Sequence, residues 1–282
     1  MSDSVVDDPV VDDPAVSDPG ILERIVAGKA VEVAALRAVR ADLSRAADDA
    51  PAPRRALQAL SRSGNVGVIA EVKRRSPGAG DIDTGLDPVE LAAEYEEGGA
   101  LAISVLTDSR WFGGSLDDLI EVRAGGGVAV LRKDFVIDAV QVVEARAAGA
   151  DLVLLIVRIL DPVLLRDLRA MIHDMGMTAL VEAHDEWEVE AALEAGALLL
   201  GVNNRDLSVF RTDLAVTERL AKYVPGEVLL VSESGIASAA DVARVAAAGA
   251  DAVLVGEALV RSGDRRGMVA AMAGVPRTGA RG

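Results

Sequence analysis

From residue 66 onward the chain alternates two kinds of stretch. Short apolar runs rich in Val, Leu and Ile occupy residues 66–71, 101–106, 128–131, 152–157, 178–182, 198–202, 228–231 and 252–255. Between them lie longer Ala-rich segments whose apolar positions recur with helical spacing. The runs are too short for helices and apolar on both faces, which predicts strands of a parallel sheet covered on both sides. Four share one lead-in: Gly98-Gly99-Ala100, Gly149-Ala150-Asp151, Gly196-Ala197 and Gly249-Ala250-Asp251. In each a glycine closes a helix and a strand starts at once. Eight such strands alternating with helices predict an α/β protein, a closed (β/α)8 TIM barrel. An open doubly wound sheet is the alternative.

Ahead of the first run, residues 21–48 read as helix, with Ile21, Leu22, Ile25 and Val26 continued by Val33, Leu36, Val39 and Leu43. Pro51 and Pro53 break the pattern, and a second short helix follows over residues 54–62. These form an N-terminal helical extension, 21–62. Residues 1–20 differ: Val-Val-Asp-Asp-Pro occurs twice and then more loosely, with six Asp and no Lys or Arg. Proline every fifth residue blocks a helix and the charges repel, so an acidic, disordered tail is expected. That leaves residues 21–282 as a single barrel domain.

The net charge of −16 argues against general nucleic-acid or anionic-membrane binding. There is no cysteine, and His173 and His184 are not grouped with other ligand types, so no metal site is expected. No apolar run is long enough to span a bilayer, and the N-terminus lacks a signal-peptide pattern. The expectation is a soluble cytoplasmic protein. Lysine is scarce: Lys29, Lys73, Lys133 and Lys222 stand among 29 basic residues. Arg keeps its proton at working pH, whereas a partly buried Lys can release one. Lys73 and Lys133 fall at strand ends, which favours proton chemistry there.

A barrel carries its active site at the C-terminal ends of its strands. Those ends read Glu71-Val72-Lys73, Arg132-Lys133-Asp134-Phe135, Glu182-Ala183-His184, Asn203-Asn204-Arg205-Asp206, Ser232-Glu233-Ser234-Gly235 and Val255-Gly256-Glu257. Glu71 and Lys73 share one face of their strand. Buried charges of this kind are costly unless paired or used, and a structural ion pair plugging the barrel is the bland reading. Glutamates, two lysines and an Asn converging on one mouth favour a functional one. Ser234, Gly235 and Gly256, in the last two loops, suit a phosphate, with the Glu257 side chain turned away. Trp111, Phe112 and Phe135 suggest an apolar slot for a flat ring, although ordinary loop packing fits Trp111 better. His184 reads as a packed or hydrogen-bonded residue.

Ile69-Ala70-Glu71-Val72-Lys73, with Ser76-Pro77, resembles the first-strand motif of the indole-3-glycerol-phosphate synthases. So do Ile103-Ser104-Val105-Leu106-Thr107 with Phe112-Gly113-Gly114-Ser115, Leu131 to Phe135, Val181 to His184, Gly201 to Leu207, Glu233-Ser234-Gly235 and Val255-Gly256-Glu257. The match runs from about residue 21 to 262, in order and at the family's spacing. It implies a (β/α)8 barrel with an N-terminal helical extension. The implied reaction converts 1-(2-carboxyphenylamino)-1-deoxyribulose 5-phosphate to indole-3-glycerol phosphate, CO2 and water, without metal or cofactor. By resemblance, Lys133 is the general acid at the ribulose C2 oxygen, Lys73 contacts the carboxylate, and Glu182 serves dehydration. Glu71 and Asn203 position the ribulose chain, with Glu71 setting the charge state of the lysines, and Glu233 and Arg205 support the mouth. Phe112 and Phe135 pack on the anthranilate ring, while Ser76, Ser234, Gly235 and Gly256 hold phosphate. A proton donor poised near neutral pH would suit ring closure.

The first loop departs from the family's Ser-Pro-Ser-Lys-Gly, reading Ser76-Pro77-Gly78-Ala79-Gly80, and Ala183 replaces a usual Val. The partner implied is a phosphorylated small molecule. A monomer is expected, with other enzymes of the pathway as candidate partners. A catalytically silent phosphosugar-binding paralogue is one alternative; phosphoribosylanthranilate isomerase is the other, but it looks to a catalytic cysteine.

Overall fold

The computed structural model describes residues 20–206, 211–279 and 281; most of the acidic segment, residues 1–19, lies outside them. The eight apolar runs are the strands β1 (Gly67–Val72), β2 (Ala102–Leu106), β3 (Ala129–Lys133), β4 (Leu152–Ile156), β5 (Thr178–Ala183), β6 (Leu199–Asn203), β7 (Leu229–Glu233) and β8 (Ala252–Val255). Each pairs in parallel with its neighbours, and β1 closes the ring on β8 from Gly67 opposite Ala252 to Ala70 opposite Val255. Closure excludes the open sheet. Strands β3, β6 and β7 run past the ends of their apolar runs. Pairing continues to Leu106 opposite Lys133 and Asn203 opposite Glu233 after the side chains have become polar.

Alternation inside each strand separates two layers. Ile69, Ala102, Leu131, Leu154, Leu180, Val231 and Leu254 fill the barrel interior. Val68, Ala70, Ile103, Leu155, Val181, Leu200 and Val253 pack outward under the helices. Ala183 belongs to this outer layer, so its exchange for Val does not reach the interior. The described α-helices of six or more residues, in chain order, are α1 (Ile21–Ala38), α2 (Arg40–Asp49), α3 (Ala56–Arg62), α4 (Pro88–Glu97), α5 (Leu116–Gly125), α6 (Ala139–Ala147), α7 (Pro162–Asp174), α8 (Glu186–Glu194), α9 (Ala215–Leu220), α10 (Ala239–Ala247) and α11 (Arg265–Ala273). Asp87, Ser115, Asp138, Asp161, Asp185, Ser238 and Asp264 cap seven of them by accepting backbone N–H bonds.

The repeated lead-in has a physical meaning. Gly99, Gly149, Gly196 and Gly249 adopt left-handed φ of 97°, 83°, 81° and 104°, which ends each helix. Where Asp follows, its carboxylate holds the preceding strand: Asp151 accepts from Val130 N and Asp251 from Leu230 N, each at 2.8 Å. Arg123 pairs with Asp151 at 3.1 Å and Arg281 with Asp251 at 2.6 Å.

The N-terminal extension is present but is not one helix from 21 to 48. Val39 (φ −109°, ψ 14°) interrupts it, so α1 and α2 take different courses. Ala56 and Leu60 of α3 plug the N-terminal end of the barrel. Helix α1 crosses the opposite end, where Ile21, Leu22 and Ile25 roof a cavity. It is pinned there by Lys29, buried between Ile25 and Val33 on one helix face. The Lys29 Nζ lies 2.9 Å from carboxylate oxygens of Glu32, Asp108 and Asp134.

Candidate active site

The inward face that is apolar deep in the barrel turns polar at its C-terminal rim. Glu71, Lys73, Lys133, Glu182, Asn203 and Glu233 line one cavity of about 430 Å3, a size suited to a small organic ligand. Lys133 reaches Glu182 Oε2 at 3.2 Å and Glu233 Oε2 at 3.4 Å. The other oxygen of Glu182 accepts from Asn203 Nδ2 at 3.1 Å. Lys73 Nζ lies 2.5 Å from Glu71 Oε1.

These pairs decide the charges. Burial opposes ionisation of Glu182, but Lys133, His184 and the Asn203 amide outweigh it and hold the carboxyl down at about 2. Glu233 goes the other way. Burial dominates, Lys133 only partly offsets it, and the nearby Glu182 and Glu71 charges add to it, so its pKa is pushed up to about 8. Geometry agrees, because neither Glu233 oxygen has a hydrogen-bond partner among the described residues. Glu71 is held below its ordinary value, burial being outweighed by Lys73 and Lys133.

Lys133 corrects an expectation. Burial would loosen its proton, but the Glu182 and Glu71 carboxylates bind it more strongly, and its pKa lies above the ordinary lysine value rather than near neutrality. The site therefore holds a fully charged ammonium.

The apolar side of the cavity is formed by Leu106, Phe112, Phe135, Leu154 and Ile156 beneath Ile21, Leu22 and Ile25. The Phe112 and Phe135 rings are tilted by 34° with centroids 6.1 Å apart. Trp111 is outside the cavity lining and lies between Arg24 and Arg110. The polar rim beyond carries Ser76, Ser234, Gly235 and Gly256. Ser234 and Gly235 take positive φ of 64° and 80° in succession, a costly state for serine. Asn204 holds this turn: its Nδ2 donates to Ser232 Oγ, Glu233 O and Ser234 O at 3.0, 2.9 and 3.0 Å. Its Oδ1 accepts from Thr217.

Arg205 also lines the cavity, and its buried Nε has no partner among the described residues. Ser76 Oγ accepts from Ala79 N at 3.2 Å inside the first loop. Arg74 ties that loop to Asp118 at 2.5 Å. Glu257 also lines the cavity, and its carboxylate pairs with Arg261 at 3.0 Å.

Three contributors were not assigned a role from sequence, Lys29, Asn204 and Gly201, and Glu188, at a position that reads as a solvated helix face, is buried instead. A side chain at Gly201 would meet Glu233 Oε1 at 2.0 Å, so only glycine leaves room for that carboxyl. Lys29 did carry a signal, since a lysine four residues from both Ile25 and Val33 interrupts an apolar stripe. Among the described residues no group of three or more His, Asp or Glu is arranged to hold a metal ion. No described helix is long and apolar enough to cross a membrane.

Comparison with known proteins adds a family. The profile of the family described as indole-3-glycerol phosphate synthase matches residues 22–272. The chain is 50% identical over 252 residues to the indole-3-glycerol phosphate synthase of Mycolicibacterium smegmatis, covering 89% of this chain and 92% of that one. It is 51% identical over 257 residues to the protein of that name from a Nocardioides species, covering 90% and 98%. Among solved structures, thiamine phosphate pyrophosphorylase from Pyrococcus furiosus superposes with a TM-score of 0.56 at 18% identity, over 74% of this chain and 94% of that one. At that identity the likeness is one of fold alone.

Proposed function

The chain belongs to the indole-3-glycerol phosphate synthase family, and we propose how its residues divide the work of that family's reaction. The enzyme closes the indole ring of 1-(2-carboxyphenylamino)-1-deoxyribulose 5-phosphate, releasing CO2 and water. The observation that carries the assignment is the Lys133 ammonium, held between Glu182 and Glu233 at 3.2 and 3.4 Å beside the aromatic pair.

The anthranilate ring lies against Phe112 and Phe135, which brings its carboxylate toward Lys73 and the ribulose C2 carbonyl toward Lys133. The ring carbon bearing the carboxylate attacks C2, and Lys133 gives its proton to the carbonyl oxygen as charge builds there. Loss of CO2 restores the aromatic ring. In the dehydration Glu182 takes the proton from C1 while the C2 hydroxyl takes a second proton, from Lys73, and leaves as water. Glu182 bonds directly to Lys133, so the collected proton has a path back to the donor. Asn203 holds Glu182 from the other side, and Glu71 pairs with Lys73. Ser76, Ser234, Gly235 and Gly256 take the phosphate, and Arg205, whose Nε has no partner among the described residues, adds a cation near it. The net charge of −16 fits a soluble, monomeric cytoplasmic enzyme, a reading that size-exclusion chromatography checks.

Purified protein given the carboxyphenylamino-ribulose phosphate should develop indole fluorescence. Glu182→Gln keeps the shape and removes proton exchange, so it should lower kcat by about 10²–10⁴ with little change in KM. A variant that loses binding but keeps turnover would make Glu182 a substrate clamp.

A further inference from the structure

His184 follows Glu182 by two residues and is buried against it. Its Nδ1 lies 2.9 Å from Glu188 Oε2, and its backbone N–H donates to the same oxygen at 2.7 Å. Glu188 is itself fixed. Its other oxygen accepts from Arg158 Nε at 2.8 Å, and its N–H is capped by Asp185 at 2.9 Å. The remaining ring nitrogen, Nε2, stands 3.4 Å from Glu182 Oε1 and has no hydrogen-bond partner among the described residues. An ionised carboxylate can only accept, so an imidazole with a carboxylate oxygen at each nitrogen satisfies both only by donating from both.

We propose that His184 is a positioning residue of the reaction: clamped by Glu188, it turns an N–H toward Glu182 and presents that carboxylate to the substrate as a proton acceptor. The proposal rests on the role given to Glu182 above. Glu182 then has a donor beside each oxygen, Lys133 at one and the His184 ring at the other. The charged groups facing this pair are Lys133 from β3, Glu233 from β7, Glu71 from β1, Glu188 and Asp185 at the start of α8, and Arg158 after β4. Lys133 and the His184 ring both favour ionised Glu182, while Arg158 is engaged by Glu188 and Asp185. With the imidazole removed, Glu182 should hold a proton to higher pH and fail as a base sooner on acidification.

The test is the pH profile of kcat/KM for His184→Gln, Glu188→Gln and Glu182→Gln against the parent enzyme. In His184→Gln the acidic limb should move up by about one pH unit, with KM and the alkaline plateau changed less than about five-fold. Glu188→Gln loosens the clamp and should move the limb the same way by less. A uniform fall in rate with an unmoved limb would make His184 a packing residue and overturn the proposal. If His184→Gln does not fold, an unmoved limb in Glu188→Gln overturns it. Glu182→Gln separates the two readings. Wild-type turnover there removes the role of Glu182 and the proposal with it, whereas a slow Glu182→Gln beside an unmoved limb in His184→Gln overturns the proposal alone.

Discussion

Glu182 and Glu233 are the same residue type on the same lysine, yet they carry opposite charge states. The difference lies in their donors: Glu182 receives Asn203 as well as Lys133, while Glu233, in the space left by Gly201, has Lys133 at 3.4 Å and no hydrogen bond among the described residues. The Glu233 carboxyl, raised from 4.5 to about 8, binds its proton more tightly when folded. Its contribution to stability is therefore full below pH 4.5 and is lost as the pH rises through about 8. Glu233→Gln removes that loss. The variant's melting temperature relative to the parent should rise between about pH 5 and about pH 9, and a constant difference would mean that Glu233 is ionised throughout. Lys133, Glu182 and Asn203 were legible in sequence because a charge or amide ending an apolar strand is conspicuous. Gly201 and Asn204 were not, because their work is done for a neighbouring strand, and strand contacts of that kind carry no local pattern.

At the scale of elements, the strands were legible from composition and the extension from its apolar stripe. Periodicity shows that a helix buries one face; it does not show against what, so the place of α1 over the mouth came only from the structure. Lys29 makes that place definite by joining α1 to Asp108 and Asp134, in the segments that follow β2 and β3. Asp134 also binds Thr107 Oγ1 at 2.8 Å and Arg132 at 3.1 Å, and it directly follows Lys133. Lys29→Met keeps the stem and deletes the charge, leaving Asp108 and Asp134 without their shared partner. The loss should be about 3 kcal/mol, as for breaking a buried ion pair from one side. With α1 loosened, KM should rise more than kcat falls, since Ile21, Leu22 and Ile25 roof the cavity. Urea unfolding and steady-state kinetics read both effects. Unchanged stability would mean that α1 is held by its apolar contacts alone.

The molecule as a whole is strongly acidic, yet its mouth is not. Lys73, Lys133, Arg205 and Arg261 are balanced there by Glu71, Asp134, Glu182 and Glu257, with Glu233 held toward its protonated form, so the cavity lining is close to neutral in a strongly acidic molecule. The barrel makes this arrangement by letting apolar inner layers end in a polar rim, and the rim residues come from strands far apart in the chain. The account turns on Lys133 as the donor for ring closure, and its most direct test is the turnover of Lys133→Ala followed by indole fluorescence. The expected result is a kcat lower by about 10²–10⁴, with KM within a few-fold of the parent because the aromatic slot and phosphate loops are intact. A variant turning over near the parent rate would contradict the assignment of the acid to Lys133.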